Sequence, residues 1–339
     1  MKVYSAKPRD MPLSQVADYA RRAERLGYDG LTVSEGVHDG FLNSLAALDA
    51  TSDLKVATSI ILAFPRSPMV VAYATWDLSA HSGGRFILGM GSQIRANIVD
   101  RYSTPWAPPV PRMREYVQSL RAIWNSWQHN APLEFEGKHY HFTRMQPFFN
   151  PGPIEYPDIP VFLAAVGPHM TRLVGEVADG IHTHPSNSDR RMVVEHTLPL
   201  IAEGAKKAGR SMDDIEVVAF GHVLTGANEA EVSRQREEYR RSMAVMWSTP
   251  NYWKPLQLRG WDELGPSLRQ LTRQGKWEQL PSLVTDDIIN ELVPVATYAE
   301  IAGVMKEMWG GLPVAVRFPM PEDPKDDREV AKVLAELRG

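Results

Sequence analysis

Four short segments combine residue types and spacings that could carry chemistry. His182 and His184 stand two apart, so on a strand they share one face, and with His222 further on they could ligate a metal. A hydrolytic metal centre also needs a carboxylate ligand or base. The nearby acids Asp179 and Asp189 hold no compelling position for it, so the histidines read better as pocket-lining or hydrogen-bonding groups, with no metal expected. Gly167-Pro168 opens a helical segment. Proline suits a first turn because its missing N–H has no partner there anyway, and the backbone donors of His169 to Thr171 would then offer an anion site on the helix dipole. An ordinary loop–helix junction has the same local sequence. Gly89-Met90-Gly91-Ser92-Gln93 fails the dinucleotide fingerprint, because Ile94 stands where the third glycine belongs and no helix follows at once. Either these glycines give a flat ligand room at the backbone, with Ser92 and Gln93 as hydrogen-bonders, or the strand end needs a positive φ. His38, just past a second strand, is an acid–base candidate because its pKa lies near the working range.

These residues need a scaffold that brings distant segments together. Short apolar runs alternate with longer amphipathic stretches almost from end to end. Strands are expected at 3–6, 31–34, 56–63, 85–90, 159–165, 180–184, 216–224 and 314–318. Helices are expected at 14–26, 42–50, 68–81, 112–127, 168–178, 190–208, 229–246, 298–309 and 327–337. The run 56–63 (VATSIILA) is almost continuously apolar, as in a parallel strand buried on both faces. Eight strands each followed by helix give an α/β fold, a single (β/α)₈ TIM barrel over residues 1–339. Pro132 to Asp158 and Trp247 to Val295 read as insertions that shape the pocket. In such a barrel the chemistry belongs on the loops at the C-terminal strand ends, and each segment above falls there.

Bulk properties narrow the function. The 339 residues are 43% hydrophobic and 23% charged with a net charge of −4, and the pI is about 6.2, which favours neither nucleic acid nor a basic membrane-binding surface. With no cysteine there is no disulfide, thiolate metal site or cysteine nucleophile. No run of about 18 apolar residues occurs, and the N-terminus lacks the features of a signal peptide. A soluble, cytoplasmic protein without a membrane or nucleic-acid partner is the expectation.

Three stretches carry a family resemblance over essentially the whole chain: ATSIILAFPRSPMVVAYATWDLSAHSGGRFILGMGSQ (57–93), PRMREYVQSLRAIW (111–124) and PVFLAAVGPHMTRLVGEVADGIHTHP (160–185). The sequence resembles the luciferase-like monooxygenase superfamily and, within it, the coenzyme F420 (deazaflavin)-dependent oxidoreductases of actinobacterial type. The resemblance implies a bacterial-luciferase-like barrel with a strand-three bulge at Ser59-Ile60, often with a non-prolyl cis peptide, backing the flavin-like ring. It further implies that Ser92, Gln93 and Asn97 contact the cofactor and that Val166, Gly167 and Pro168 hold the phosphate end of its tail. Gly91 and His182 complete the expected cofactor set, and His38 is the expected catalytic base. One departure stands out. Sugar-phosphate dehydrogenases of the superfamily place a His directly after an acidic residue at the end of strand two, whereas Glu35 is followed here by Gly36, and Ile94 replaces their strand-four acid. A sugar-phosphate substrate is therefore not expected.

The leading expectation is hydride transfer between coenzyme F420 and a small organic substrate. The alternatives are an FMN-dependent monooxygenase using reduced flavin and oxygen, and a non-catalytic flavin-binding relative. The resemblance also implies a homodimer, with a separate cofactor-reducing enzyme as an indirect partner.

Overall fold

The computed structural model describes all 339 residues. Eight strands form the barrel: β1 Val3–Ala6, β2 Gly30–Val33, β3 Lys55–Thr58, β4 Phe86–Gly91, β5 Val161–Ala165, β6 Gly180–Thr183, β7 Glu216–Ala219 and β8 Val314–Arg317. Each pairs in parallel with the next, and β8 closes on β1 through Val3–Val316 and Tyr4–Arg317. The strands are buried on both faces, which explains their near-continuous apolar sequences. Tyr4, Ala57, Ile87, Phe162, Val218 and Ala315 pack inside the barrel. A larger core lies between the strands and the surrounding helices.

Local chemistry sets the helix ends. Helix α1, Leu13–Leu26, buries Val16, Ala20 and Ala23 along one stripe. It stops at Gly27, whose φ of 92° lets its N–H reach the Ala23 and Glu24 carbonyls. Asp39 caps α2, Gly40–Asp49, by accepting from the Phe41 and Leu42 N–H groups. Ser67 caps α3, Pro68–Ser82, with proline again in the first turn. The further helices are α4 Pro109–His129, α5 Pro168–Val177, α6 Leu198–Lys207, α7 Glu229–Met246, α8 Ile301–Trp309 and α9 Asp327–Arg338.

Three segments differ from the sequence pattern. The apolar run of strand three is broken, as the family resemblance implies: β3 ends at Thr58, the Ser59–Ile60 peptide is cis, and Ile61–Leu62 resumes pairing with β4. The helix expected over 190–208 contains a π-helical turn at Val193–Thr197. Pro199 explains it, having no N–H to continue the i−4 ladder. The strand expected over 216–224 ends at Ala219, and Leu224–Gly226 instead pairs in parallel with Val295–Thr297 in a separate two-stranded sheet. Leu224, at the end of the expected strand 216–224, is buried in a second core with Tyr239, Met243, Trp247 and Leu292.

That second core is the basis of the 247–295 insertion, whose helices Lys254–Gln257, Leu264–Arg273 and Asp286–Leu292 sit against α7. Arg259 and Asp189, both 4% exposed, join the insertion to the segment after β6 at 2.7 Å. The 132–158 insertion forms a small hairpin, Phe135–Glu136 with His141–Phe142. It lies along the outer helices, where Trp76 Nε1 donates to the Gly152 carbonyl and Ser79 Oγ to that of Tyr156.

Candidate active site

All eight strands lead into one cleft of about 880 Å³ at the C-terminal end of the barrel, where this architecture places its chemistry. Ser59, Ile60, Gly91, Ser92, Gln93, Val166, Gly167, Pro168 and His182, all expected cofactor residues, line it together. Asn97 does not. It begins a π-helical turn, Asn97–Arg101, where its carbonyl accepts from Tyr102 N–H at 3.1 Å. His38 is also outside the lining, although Ser34 at the start of its loop is within it. The 132–158 insertion contributes nothing to the cleft, contrary to the expectation, since it packs on the outer helices. The 247–295 insertion does contribute, through Asn251 and Tyr252.

The glycines of strand four serve the barrel. A Cβ on Gly89 would stand 1.8 Å from the Thr58 carbonyl oxygen, so glycine permits the close approach of β3 and β4. A Cβ on Gly91 would meet Ile60 Cδ1 at 2.6 Å, so Ile60 takes the room that the sequence reading gave to a flat ligand. The positive φ at this strand end, 57°, falls on Gln93, a conformation uncommon outside glycine.

Gly167 is the N-cap of α5, with no side-chain cap and open space where a Cβ would be. Thr171 N–H already bonds the Gly167 carbonyl at 3.1 Å. The anion-competent donors are therefore those of His169 and Met170, fewer than the three the sequence suggested.

His182 lies within the barrel mouth between the Phe162 and Phe220 rings, centroids 5.2 and 5.1 Å away, both edge-on. Both its ring nitrogens are buried without a partner in the protein, and desolvation lowers its pKa to about 3. His184 stacks on Tyr252 at 5.0 Å. Its Nδ1 accepts from Ser186 N–H at 3.3 Å and sits 2.8 Å from Ser186 Oγ. An Nδ1 that accepts from a backbone donor leaves the ring proton on Nε2, and burial lowers this pKa as well. His222 packs edge-on to Tyr239 in an adjoining cavity. His184 acts on the charge of His222, but no group of three His, Asp or Glu side chains has metal-holding geometry.

The charge of the cleft is one-sided. Lys7, Arg9 and Arg317 line it, with no aspartate or glutamate. The nearest acid at a strand end, Glu35, is withdrawn: Arg66 grips it at 2.8 and 3.0 Å, and it also accepts from Leu62 N–H at 2.7 Å. Lys7, Arg9 and Tyr19 were absent from the sequence-derived site. Arg317 was recognised as a strand-end residue without a role.

A closed eight-stranded barrel with a carboxylate-free cleft at its C-terminal end defines a ligand-binding (β/α)₈ enzyme scaffold. The chain belongs to the Luciferase-like monooxygenase family, whose model matches residues 2–313, and is an oxidoreductase of the luciferase-like class. It is 42% identical over 300 residues to an uncharacterized protein of Mycobacterium tuberculosis, covering 88% of each chain. It is 27% identical over 315 residues to the F420-dependent glucose-6-phosphate dehydrogenase of Nakamurella multipartita, covering 88% of this chain and 87% of the other. Among solved structures, the coenzyme F420-dependent tetrahydromethanopterin reductase of Methanopyrus kandleri superposes with a TM-score of 0.79 at 22% identity, covering 99% of this chain and 98% of that one. That likeness is one of fold.

Proposed function

We propose that this protein is a coenzyme F420-dependent oxidoreductase that transfers hydride to or from a small organic substrate. The observation that carries the reading is the uncapped helix start at Gly167-Pro168 beside a cleft free of carboxylates. A phosphate-bearing cofactor fits both features, and His182, with its unpartnered ring nitrogens, offers a polar contact in the floor. Ser59, Ile60, Ser92 and Gln93 would hold the ring, with Gly91 giving room to Ile60 beneath it, while Val166, Gly167 and Pro168 would hold the phosphate end of the tail. When bound, the deazaflavin supplies or accepts hydride at its ring carbon. The chain itself positions the two reactants and excludes water.

Within the cleft, His184 is better placed than His38 to exchange a proton with substrate. It lines the cavity, Ser186 fixes its tautomer, and burial keeps it neutral with a proton on Nε2. The exposed apolar side chains of Leu42 and Leu45 on α2 and Val70 on α3 support association into a homodimer.

Expression in a host that makes both cofactors, followed by mass spectrometry of the small molecules released on denaturation, tests the cofactor assignment. Recovery of the deazaflavin is expected. Recovery of FMN in its place would move the reading to oxygen chemistry on a reduced flavin.

A further inference from the structure

Arg317 is the last residue of β8 and lies in register with Tyr4 of β1. It lines the main cleft and also an adjoining cavity of about 580 Å³, so it stands where the two meet. Burial lowers its pKa, and the groups coupled to its charge are the hydroxyls of Tyr19 and Tyr28 and the ring of His222, with no carboxylate among them. Both hydroxyls already donate to carbonyls, Tyr19 to Ala6 and Tyr28 to Pro319, each at 2.9 Å. Other arginines in the fold have acceptors: Arg66 has Glu35 and Asp39, Arg22 has Asp327, and Arg259 has Asp189. The acids of the adjoining cavity, Glu231, Glu238, Glu322, Asp323 and Asp326, form no ion pair with Arg317, and a largely buried guanidinium without a paired carboxylate is costly unless an anion completes it; its planar fork suits a carboxylate or phosphate.

Lys7, three residues beyond Tyr4, adds a second buried cation on the same wall. Its Nζ donates to the Pro8 and Met11 carbonyls at 2.8 and 3.2 Å; Asp10 is the one carboxylate that acts on its charge, and it makes no ion pair with it. The helix start at Gly167-Pro168 follows β5, on the opposite side of the barrel from β1 and β8. The cleft thus has two poles suited to anions, facing each other across the axis.

We propose that the β1–β8 wall, centred on Arg317 with Lys7 beside it, binds an anionic group of the substrate, a carboxylate or a phosphate. The substrate is then a small organic anion held opposite the cofactor's phosphate. This rests on the cofactor reading only in assigning the β5 pole to the cofactor.

Calorimetric titration of the purified protein with succinate and with inorganic phosphate, repeated after loading with coenzyme F420, tests the proposal and separates the two anion types. Saturable binding of at least one anion is expected, weakened about tenfold or more in Arg317→Met and partly kept in Arg317→Lys. Coenzyme affinity should change by less than about threefold. The melting temperature of Arg317→Met should not fall, because no internal partner is lost. No saturable anion binding, or binding unaffected by Arg317→Met, would overturn the proposal. A coenzyme affinity that drops as far as the anion's would assign Arg317 to the cofactor instead, and a lower melting temperature would make it structural. If the protein ignores the deazaflavin while the anion results hold, the cofactor reading fails and this one stands.

Discussion

Arg66 holds Glu35 in a two-pronged grip, Nη2 to Oε1 at 2.8 Å and Nη1 to Oε2 at 3.0 Å, and its Nη2 also reaches Asp39 Oδ2 at 2.9 Å. The Glu35 side chain is 8% exposed, so this acid at the end of β2 serves the scaffold and is not free for proton transfer in the cleft. Removing one partner of a buried pair strands the other charge. Arg66→Met is expected to lower stability by about 3 kcal/mol in urea unfolding, and Glu35→Gln, which keeps an acceptor for Leu62 N–H, by less. A loss below about 1 kcal/mol in Arg66→Met would mean the ion pair contributes little.

The contact between Arg259 and Asp189 ties the helical insertion to the barrel, and through it Tyr252 reaches His184. Arg259→Met alone should cost about 3 kcal/mol, whereas Arg259→Met with Asp189→Leu should recover most of that. A double-mutant cycle by urea denaturation gives the coupling. Additive losses would contradict a direct pairing role.

Buried neutral histidines make stability depend on pH in a definite direction. His182 is held at about 3 against an ordinary 6.5, and His222 at about 4, chiefly by desolvation. Between these values the unfolded chain binds protons that the native state refuses, so stability is fully present above pH 6.5 and falls as pH is lowered towards 3. At pH 5 the loss from His182 alone is on the order of 2 kcal/mol. Urea midpoints for wild type and His182→Leu between pH 7 and 5 check this. The variant should show the shallower slope, and parallel slopes would place the proton-linked loss elsewhere.

The exposed strip on α2 and α3 predicts its own test. Leu42, 57% exposed, and Leu45, 42% exposed, would be covered in a homodimer. Leu42→Glu with Leu45→Glu should convert a dimer to a folded monomer by light scattering, with circular dichroism unchanged. A wild-type monomer would refute the assignment.

Features set by neighbouring residues were legible in the sequence, and features set by distant ones were not. Gly167-Pro168 could be read as a helix start because the constraint on proline is local. The strands could be read because burial on both faces leaves a continuous apolar run. The grip of Arg66 on Glu35 spans 31 positions, and no local pattern announces it. The cationic wall needs β8 beside β1, so Lys7 and Arg317 look like unrelated strand ends until the barrel closes. His38 is favoured by its residue type and its place after β2, but which residues of that loop reach the cleft is a tertiary property: Ser34 does and His38 does not. Gly91 illustrates a different gap: the sequence shows that space is needed, and only packing shows that Ile60 fills it.

In the proposed function the cleft takes a deazaflavin whose phosphate sits at the start of α5. A fluorescence titration of the protein with coenzyme F420, its phosphate-free form and FMN tests it most directly. Micromolar or tighter binding of the full coenzyme is expected, with the phosphate-free form weaker by about tenfold or more and FMN weaker than the full coenzyme. Tightest binding by FMN, or equal affinity for the deazaflavin with and without its phosphate, would contradict it.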